Sequence, residues 1–369
     1  MRNTFAEISL KNLQNNFLEI KRIVRDIKVL AVVKADAYGH GMIQCVDALL
    51  RLKAKSPDYF GVALTEEGIE LRKSKLTRKP ILLFSPLDKN EIEDYLRFDL
   101  MPTVSSVNHI RILSKLTLKK KLKIHINIDT GMGRLGFEYE EAVKNIKKIS
   151  HIKNIIIDGI YTHFACSDEA DPIFTLLQAE RFKSIIYNLK KESISFGLAH
   201  AANSAAIIKF PESYFDMVRP GISLYGYPPA TELSTKINLK PVMSLKSKVS
   251  TIRKVKAGNS VSYGRLFFAK EDSFIGSLPI GYADGLNRNL TNSISILIKD
   301  KMFSQAGRIT MDRIMFDTMN QNVKVGDTAI LLGNSKSQKI DAWDWSKILK
   351  TIPYEITCGI SKRVPRVYR

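Results

Sequence analysis

The sequence predicts an N-terminal (β/α)8 barrel of the TIM type followed by a C-terminal, mostly-β domain. Short apolar strand candidates alternate with amphipathic helical stretches about eight times over roughly 250 residues, the rhythm of a closed parallel barrel. After Pro241 the texture changes to short β-rich runs joined by Gly, Asp and Asn turns. With 369 residues the chain is long enough for both parts.

The barrel strands read at 28–34, 59–64, 81–85, 101–104, 124–129, 157–164, 196–202 and 215–219, each rich in branched aliphatic or aromatic residues. Between them, 43–52, 66–71 and 178–189 space their apolar residues as one helix face. A doubly wound open sheet shows the same alternation. Against it, no glycine-rich dinucleotide fingerprint opens the first strand–helix turn. Beyond the barrel, 242–254, 260–268, 274–280, 294–298, 314–318 and 328–332 read as strands. The expected domains are therefore 1–240 and 241–369, with residues 1–11 available to pair with the second.

Net charge is +20, from 57 Lys and Arg against 37 Asp and Glu. A basic surface fits a nucleic-acid binder, which would bind DNA or RNA with steep salt dependence. Here the lysines are spread along the whole chain and no nucleic-acid-binding motif accompanies them, so the expectation is no nucleic-acid partner. The charge still helps to gather anionic small molecules. No apolar run reaches the roughly 18 residues of a membrane span. Residues 1–16 lack the apolar core of a secretory signal. Cys45, Cys166 and Cys358 match no metal or disulfide spacing and read as reduced thiols. A cytoplasmic protein without metal or membrane partner is expected.

In such a barrel the reactive residues stand at the carboxyl ends of strands. The first strand runs into Lys34, followed by Tyr38, Gly39 and Gly41. A lysine closing an apolar strand is placed for partial desolvation, which makes a better nucleophile; an isolated one would simply reach solvent. After strand seven, Asn203 and Ser204 place a hydroxyl at a helix N-cap. After strand eight, Arg219 and Pro220 lead to Gly221 and Ile222, whose N–H groups are open to an anion. The loops after strands seven and eight are where such barrels hold phosphate. On strand five, Ile124, Ile126 and Ile128 alternate with His125, Asn127 and Asp129, and Arg134 follows among three glycines. Strand six delivers His163, which alone reads equally well as a core histidine.

Taken together these motifs resemble the alanine racemase family over nearly the whole chain. The resemblance implies pyridoxal 5'-phosphate bound as a Schiff base to Lys34 in AVVKADAYGHG, with Tyr38, Ser204, Gly221, Ile222 and Tyr354 around the cofactor's phosphate and Asn203 also among the cofactor-binding residues. It implies that Arg134 in DTGMGRLG lies near the cofactor's phenolic oxygen and the substrate carboxylate. His163 would pack on the pyridine ring, and Arg219, partnered by His200, would face the ring nitrogen. In the second domain, Tyr263 corresponds to the family's second catalytic base, supplied by the neighbouring subunit of a homodimer. Met311 and Asp312 correspond to a substrate-site pair, and Asp168, Tyr282, Arg288, Arg308 and Ile352 to the substrate entrance. The implied reaction interconverts L- and D-alanine through the cofactor's external aldimine, with Lys34 and Tyr263 moving protons on opposite faces of Cα. A free tyrosine titrates at about 10, so Tyr263 would need acidification by nearby positive charge. The implied role is supply of D-alanine for peptidoglycan.

The sequence departs from the family at Asn127, where many members carry a carbamylated lysine whose negative charge holds the adjacent arginine. An amide cannot be carbamylated, so Arg134 is expected to be held by the Asn127 side chain or by a bound anion such as chloride. Gly359 and Lys362 stand where the family often has Thr and Tyr. Rival readings are a serine or broad-specificity racemase, a decarboxylase on the same barrel, and a non-catalytic carrier of the cofactor. Tyr354 and Ile352 would crowd a large side chain. Arg219 cannot hand the ring nitrogen a proton, which opposes decarboxylation, and a carrier has no need of Tyr263.

Overall fold

The computed structural model describes residues 3–369, which form two compact units. One holds Leu13–Ala37 and Met42–Lys240; the other holds the chain up to Asn12, Tyr38–Gly41 and Pro241–Arg369. Strand β1 (Phe5–Ile8) lies in the second of these. It pairs antiparallel with Met243–Lys248 and parallel with Arg366–Tyr368.

The first unit is a nearly closed parallel barrel. Its strands are β2 (Lys28–Val32), β3 (Tyr59–Val62), β4 (Ile81–Pro86), β5 (Leu100–Val104), β6 (Leu122–Asp129), β7 (Ile155–Tyr161), β8 (Leu198–His200) and β9 (Met217–Val218). They pair in that order, and β9 returns to lie beside β2. Between β8 and β9 the contact continues through backbone bonds from Asp216 N–H to Ala199 C=O and from Arg219 N–H to Ala202 C=O, both 2.9 Å. Strands β2, β3, β8 and β9 are shorter than their apolar runs, β4, β5 and β6 are longer by one or two residues, and β7 starts and ends earlier. The run at 28–34 stops pairing at Val32, and Lys34 opens a helical turn (Lys34–Gly39) instead.

On β6 the isoleucines and the polar His125 and Asn127 are all buried, as a barrel requires when one face meets the helices and the other the interior. His125 and Asn127 take the interior face, where His125 meets His200 of β8. Tyr161 of β7 stacks on the same His200, its ring centroid 5.0 Å away at 13°, and its hydroxyl bonds Thr103 of β5 at 3.0 Å. Such interiors are usually filled by branched aliphatic side chains; this one is polar because it surrounds a buried cation. Outside the sheet, helix Leu10–Val24 buries Leu13, Phe17, Ile20 and Val24 at helical spacing. Pattern reading passed over this helix.

In the second unit Met243–Lys248 and Thr251–Val255 enter different sheets, so the run read as one strand at 242–254 is two. The segment 260–268 is a hairpin, Ser260–Val261 against Phe267–Phe268, interrupted by a 3-10 turn at Tyr263–Arg265. Strands Lys301–Ser304 and Arg366–Tyr368 and helices Ala342–Leu349 and Pro353–Gly359 complete the unit without having been foreseen. No helix among the described residues is long and apolar enough to cross a membrane.

One buried amide ties the barrel's first helix to its last segment. Asn16, fully buried, donates to Leu224 C=O (3.0 Å) and Lys240 C=O (2.9 Å) and accepts from Lys240 N–H (2.8 Å). Asn16→Ala leaves those backbone groups without partners in a buried place, and the expected cost is about 2–4 kcal/mol. The denaturant midpoint of the purified variant measures it; an unchanged midpoint would contradict the assignment.

Candidate active site

Arg219 follows β9 directly and is only 4% exposed. Its Nη1 donates to His200 Nδ1 at 2.9 Å. Its Nη2 donates to Thr162 C=O (2.7 Å), Ala201 C=O (2.9 Å) and His163 Nδ1 (3.2 Å). No carboxylate is among these partners. Burial lowers the guanidinium's pKa to about 10, still charged at neutral pH. Both imidazoles must stay neutral to accept from it. Burial, reinforced by Arg219, Arg134 and Lys34, takes the His163 pKa down to about 3. Burial and Arg219 hold His200 well below its ordinary range.

Lys34 is half-buried, with Nζ 5.8 Å from the centre of the Phe84 ring. The turn after it is unusual. Ala35, Asp36, Ala37 and Tyr38 all have φ between 52° and 54°, and Ala37 N–H donates to Val33 C=O at 2.9 Å, so this is a left-handed helical turn. Such a conformation costs roughly 1–2 kcal/mol per non-glycine residue. Carboxylates hold it: Glu67 accepts from Ala35 N–H at 2.6 Å, and Asp36 accepts from Met42 N–H at 2.7 Å.

Asn203, not Ser204, caps the short helix Ser204–Lys209, accepting from Ala205 and Ala206 N–H. Ser204 is its first residue, and its hydroxyl accepts from Gly221 N–H at 2.9 Å. The Gly221 N–H read as open to an anion is therefore engaged, because a neighbouring hydroxyl offers it a nearer acceptor. Among the described residues Ile222 N–H has no protein acceptor, as expected where a helical turn begins.

The glycine loop carrying Arg134 is shaped by Asp129, whose carboxylate accepts from Gly131 (2.8 Å), Met132 (2.7 Å) and Gly133 (2.8 Å) N–H. Gly136, at φ +128°, passes so close to this strand that a Cβ would stand 2.5 Å from Asp129 N. Arg134 itself is exposed and makes no ion pair among the described residues. Asn127 is buried, and its Oδ1 has no partner. The direct Asn127–Arg134 hydrogen bond is not formed. Asp168 lies exposed in the loop after β7.

In the second unit, Tyr263 stands 72% exposed in the tip of its hairpin, beside a groove lined by Arg253, Ser260, Val261, Arg313 and Met315. Ser262 before it has φ 69° and bonds Arg308 C=O through its hydroxyl at 2.8 Å. Tyr38 is buried against Tyr354, the ring centres 5.9 Å apart. Tyr282 and Met311 are joined through their loops, since Tyr282 N–H donates to Thr310 C=O and Ala283 N–H to Met311 C=O. Asp312 pairs with Arg363 at 2.6 Å. Arg288 and Ile352 are exposed, and Arg308 is half-buried with Nε unpartnered.

The alanine racemase N-terminal domain profile matches residues 8–229, and the family's C-terminal domain profile matches 242–368. This chain belongs to the alanine racemase family. It is 43% identical to the alanine racemase of Carboxydothermus hydrogenoformans over the whole of both chains. It is 41% identical to alanine racemase 2 of Caldanaerobacter subterraneus, covering all of this chain and 95% of that one. Among solved structures, the alanine racemase of Clostridium difficile 630 superposes with a TM-score of 0.93 at 38% identity, covering all of this chain and 96% of that one. That of Bacillus anthracis with bound L-Ala-P gives 0.93 at 32% identity, covering all of this chain and 95% of that one.

Within this family fold, several residues that shape the barrel site escaped pattern reading. Gln178, fully buried, accepts from Ala165 N–H and donates to Thr130 Oγ1 and His163 C=O, bracing two loops at once. Glu67 and Asp129 are read from sequence as an ordinary helix residue and a strand-end residue. Only an acidic side chain placed three or four residues from turn N–H groups hints at their work.

The neutral histidines give the racemase an acid limit. In the unfolded chain each takes up a proton near 6.5, whereas His163, His200 and His125 are all held lower in the folded state. Below about pH 6.5 the unfolded chain thus binds more protons, and stability falls as pH falls toward the folded values. Between pH 7.5 and 5.5 the expected loss is about 2–4 kcal/mol, read as a lower denaturant midpoint. A flat midpoint over that range would show that these rings do not stay neutral.

Proposed function

We propose that this chain interconverts L- and D-alanine with pyridoxal phosphate held by Lys34, as a cytoplasmic homodimer that supplies D-alanine for peptidoglycan. The single observation that carries the reading is Arg219: a buried guanidinium bonded only to neutral acceptors. The barrel residues fit an anionic cofactor. Lys34, Arg134 and Arg219 all bear on His163, and the partners of Arg219 there are all neutral. Ser204 and the Ile222 N–H offer a neutral cradle to a phosphate. Bound there, pyridoxal phosphate supplies an electron-withdrawing ring that makes a substrate's Cα hydrogen acidic.

The rest falls to the protein. Lys34 Nζ would hold the cofactor and, when free as an amine, would remove or return a proton on one face of the substrate's Cα. Tyr263, from the other subunit, does the same on the opposite face through its phenol. Inversion needs both, because one base alone returns the proton to the face it came from. Arg134 orients the substrate carboxylate, and an anion such as chloride, held with Asn127, steadies Arg134. Arg219 donates hydrogen bonds but keeps its protons, so it limits how far negative charge is drawn into the ring and thereby restrains transamination and decarboxylation.

With added pyridoxal phosphate the protein should absorb near ~420 nm, and L-alanine in deuterated water should yield Cα-deuterated D-alanine. Lys34→Ala should lose the band, and Tyr263→Phe should keep it while losing racemisation by 100-fold or more, on the order of a general-base deletion. Unfolding and refolding the two inactive variants together should restore about a quarter of wild-type activity, since half the dimers would carry one intact site. No recovery would refute a base supplied from the other subunit, and no band would refute the cofactor. Arg219→Glu, which can share a proton with the ring nitrogen, should form pyruvate from alanine at a raised rate; an unchanged rate would refute the role given to Arg219.

A further inference from the structure

Behind Arg219 the barrel interior holds a row of hydrogen bonds that the reaction described above does not use. His200 Nε2 lies 2.9 Å from His125 Nδ1, and His125 Nε2 lies 3.3 Å from Asp158 Oδ2. Asp158 also accepts from the Tyr59 hydroxyl at 3.0 Å, and its side chain reaches partial exposure at 17%, with Lys123 Nζ 4.0 Å away. Both histidines are fully buried.

The proton on each ring nitrogen follows from geometry. A guanidinium can only donate, so His200 Nδ1 is a bare acceptor. A neutral His200 then carries its proton on Nε2 and donates to His125. His125 Nδ1 is therefore also an acceptor, which excludes the imidazolium there, and its Nε2–H donates to Asp158. Three groups thus point their donors one way, from the cation to the carboxylate that accepts the last of them. Burial keeps both rings in the neutral form that this order needs.

The surroundings fix the row. Tyr161 stacks on His200 and lies 5.3 Å beneath the Arg219 guanidinium. Gly159 leaves room for the His125 ring: a Cβ there would stand 2.5 Å from two of its atoms. Tyr59 meets His125 edge-on at 6.2 Å.

We propose that Asp158 is the remote counter-charge of Arg219, a positioning residue that acts through His125 and His200 to fix the guanidinium's direction. The proposal rests on the reading that Arg219 faces the cofactor's ring nitrogen. A carboxylate at the end of the row makes His125, and through it His200, a better acceptor for Arg219. It holds the cation in place without touching it.

Two measurements test this, one of them independent of the cofactor. Nitrogen-15 spectra of histidine-labelled protein, with and without pyridoxal phosphate and assigned by His125→Gln and His200→Gln, should show both rings protonated at Nε2 alone. An Nδ1–H form or an imidazolium at either would overturn the row whether or not the protein racemises alanine. Asp158→Asn keeps an acceptor oxygen but removes the charge. It should lower kcat about tenfold, the scale on which partners that orient a ligand act, while KM stays unchanged. Asp158→Glu should restore most of it. An unchanged kcat in Asp158→Asn, or a loss that tracks only Tm and is not relieved by Glu, would overturn the proposal. Absence of the ~420 nm band in wild type would instead sink the functional reading and leave the spectra to judge the row.

Discussion

A guanidinium buried inside a parallel barrel constrains almost everything around it. Removing a cation from water costs several kcal/mol unless its donors are satisfied. Arg219 meets that cost with two imidazole nitrogens and two carbonyls, those of Thr162 and Ala201, just past the ends of β7 and β8. Tyr161 and His200 are register partners on those strands, so the pairing of β7 with β8 also sets both carbonyls beside the guanidinium. A slip of one residue would reverse every interior side chain and leave the cation unsatisfied. The polar interior of His125, His200, Tyr161 and Thr103 is a consequence of that requirement.

Acidic residues are kept off Arg219 but used freely at the rim. Glu67 holds the start of the left-handed turn after Lys34, Asp36 holds its exit, and Asp129 gathers three N–H groups of the glycine loop. Each anchors backbone that would otherwise be strained or mobile, while Arg219 itself meets only neutral acceptors. The result is a site in which Arg219 keeps its charge among neutral acceptors while the rim is braced by backbone-to-carboxylate bonds. An overall charge of +20 adds a long-range attraction for anions in the same sense.

Much of this was legible in the sequence. Alternating aliphatic runs gave the barrel because β-branched residues fit buried parallel strands on both faces. The ordered motifs around Lys34, Arg134, His163, Arg219 and Tyr263 gave the family. What escaped had no periodic signature. Helix Leu10–Val24 buries an asparagine in its apolar stripe, which weakens the pattern. The strand ending at Val32 rather than Lys34 reflects four residues at positive φ, a backbone choice that composition without glycine at those positions argues against. Ser204 reads as a cap because serine commonly caps; Asn203 beside it is equally suited and won through its bonds to both Ala205 and Ala206. Asp158, in a strand of aliphatic neighbours, gives no local sign of its partners at His125 and Tyr59, which are far away in sequence.

The position of Asp158 explains why a barrel would route a counter-charge through two neutral rings. A carboxylate bonded directly to Arg219 would share the guanidinium's field with any group facing it and leave a strong acceptor next to the ring nitrogen. Coulomb interaction falls with distance and with the polarisable matter between charges. Three hydrogen bonds away, the same carboxylate still sets the order of donors, because each neutral imidazole has one proton and its placement on one nitrogen dictates the next. Orientation is thereby transmitted along the row while neutralisation is not. Direction without neutralisation is what a permanent cation needs if it is to face a bound ring and still hold its proton.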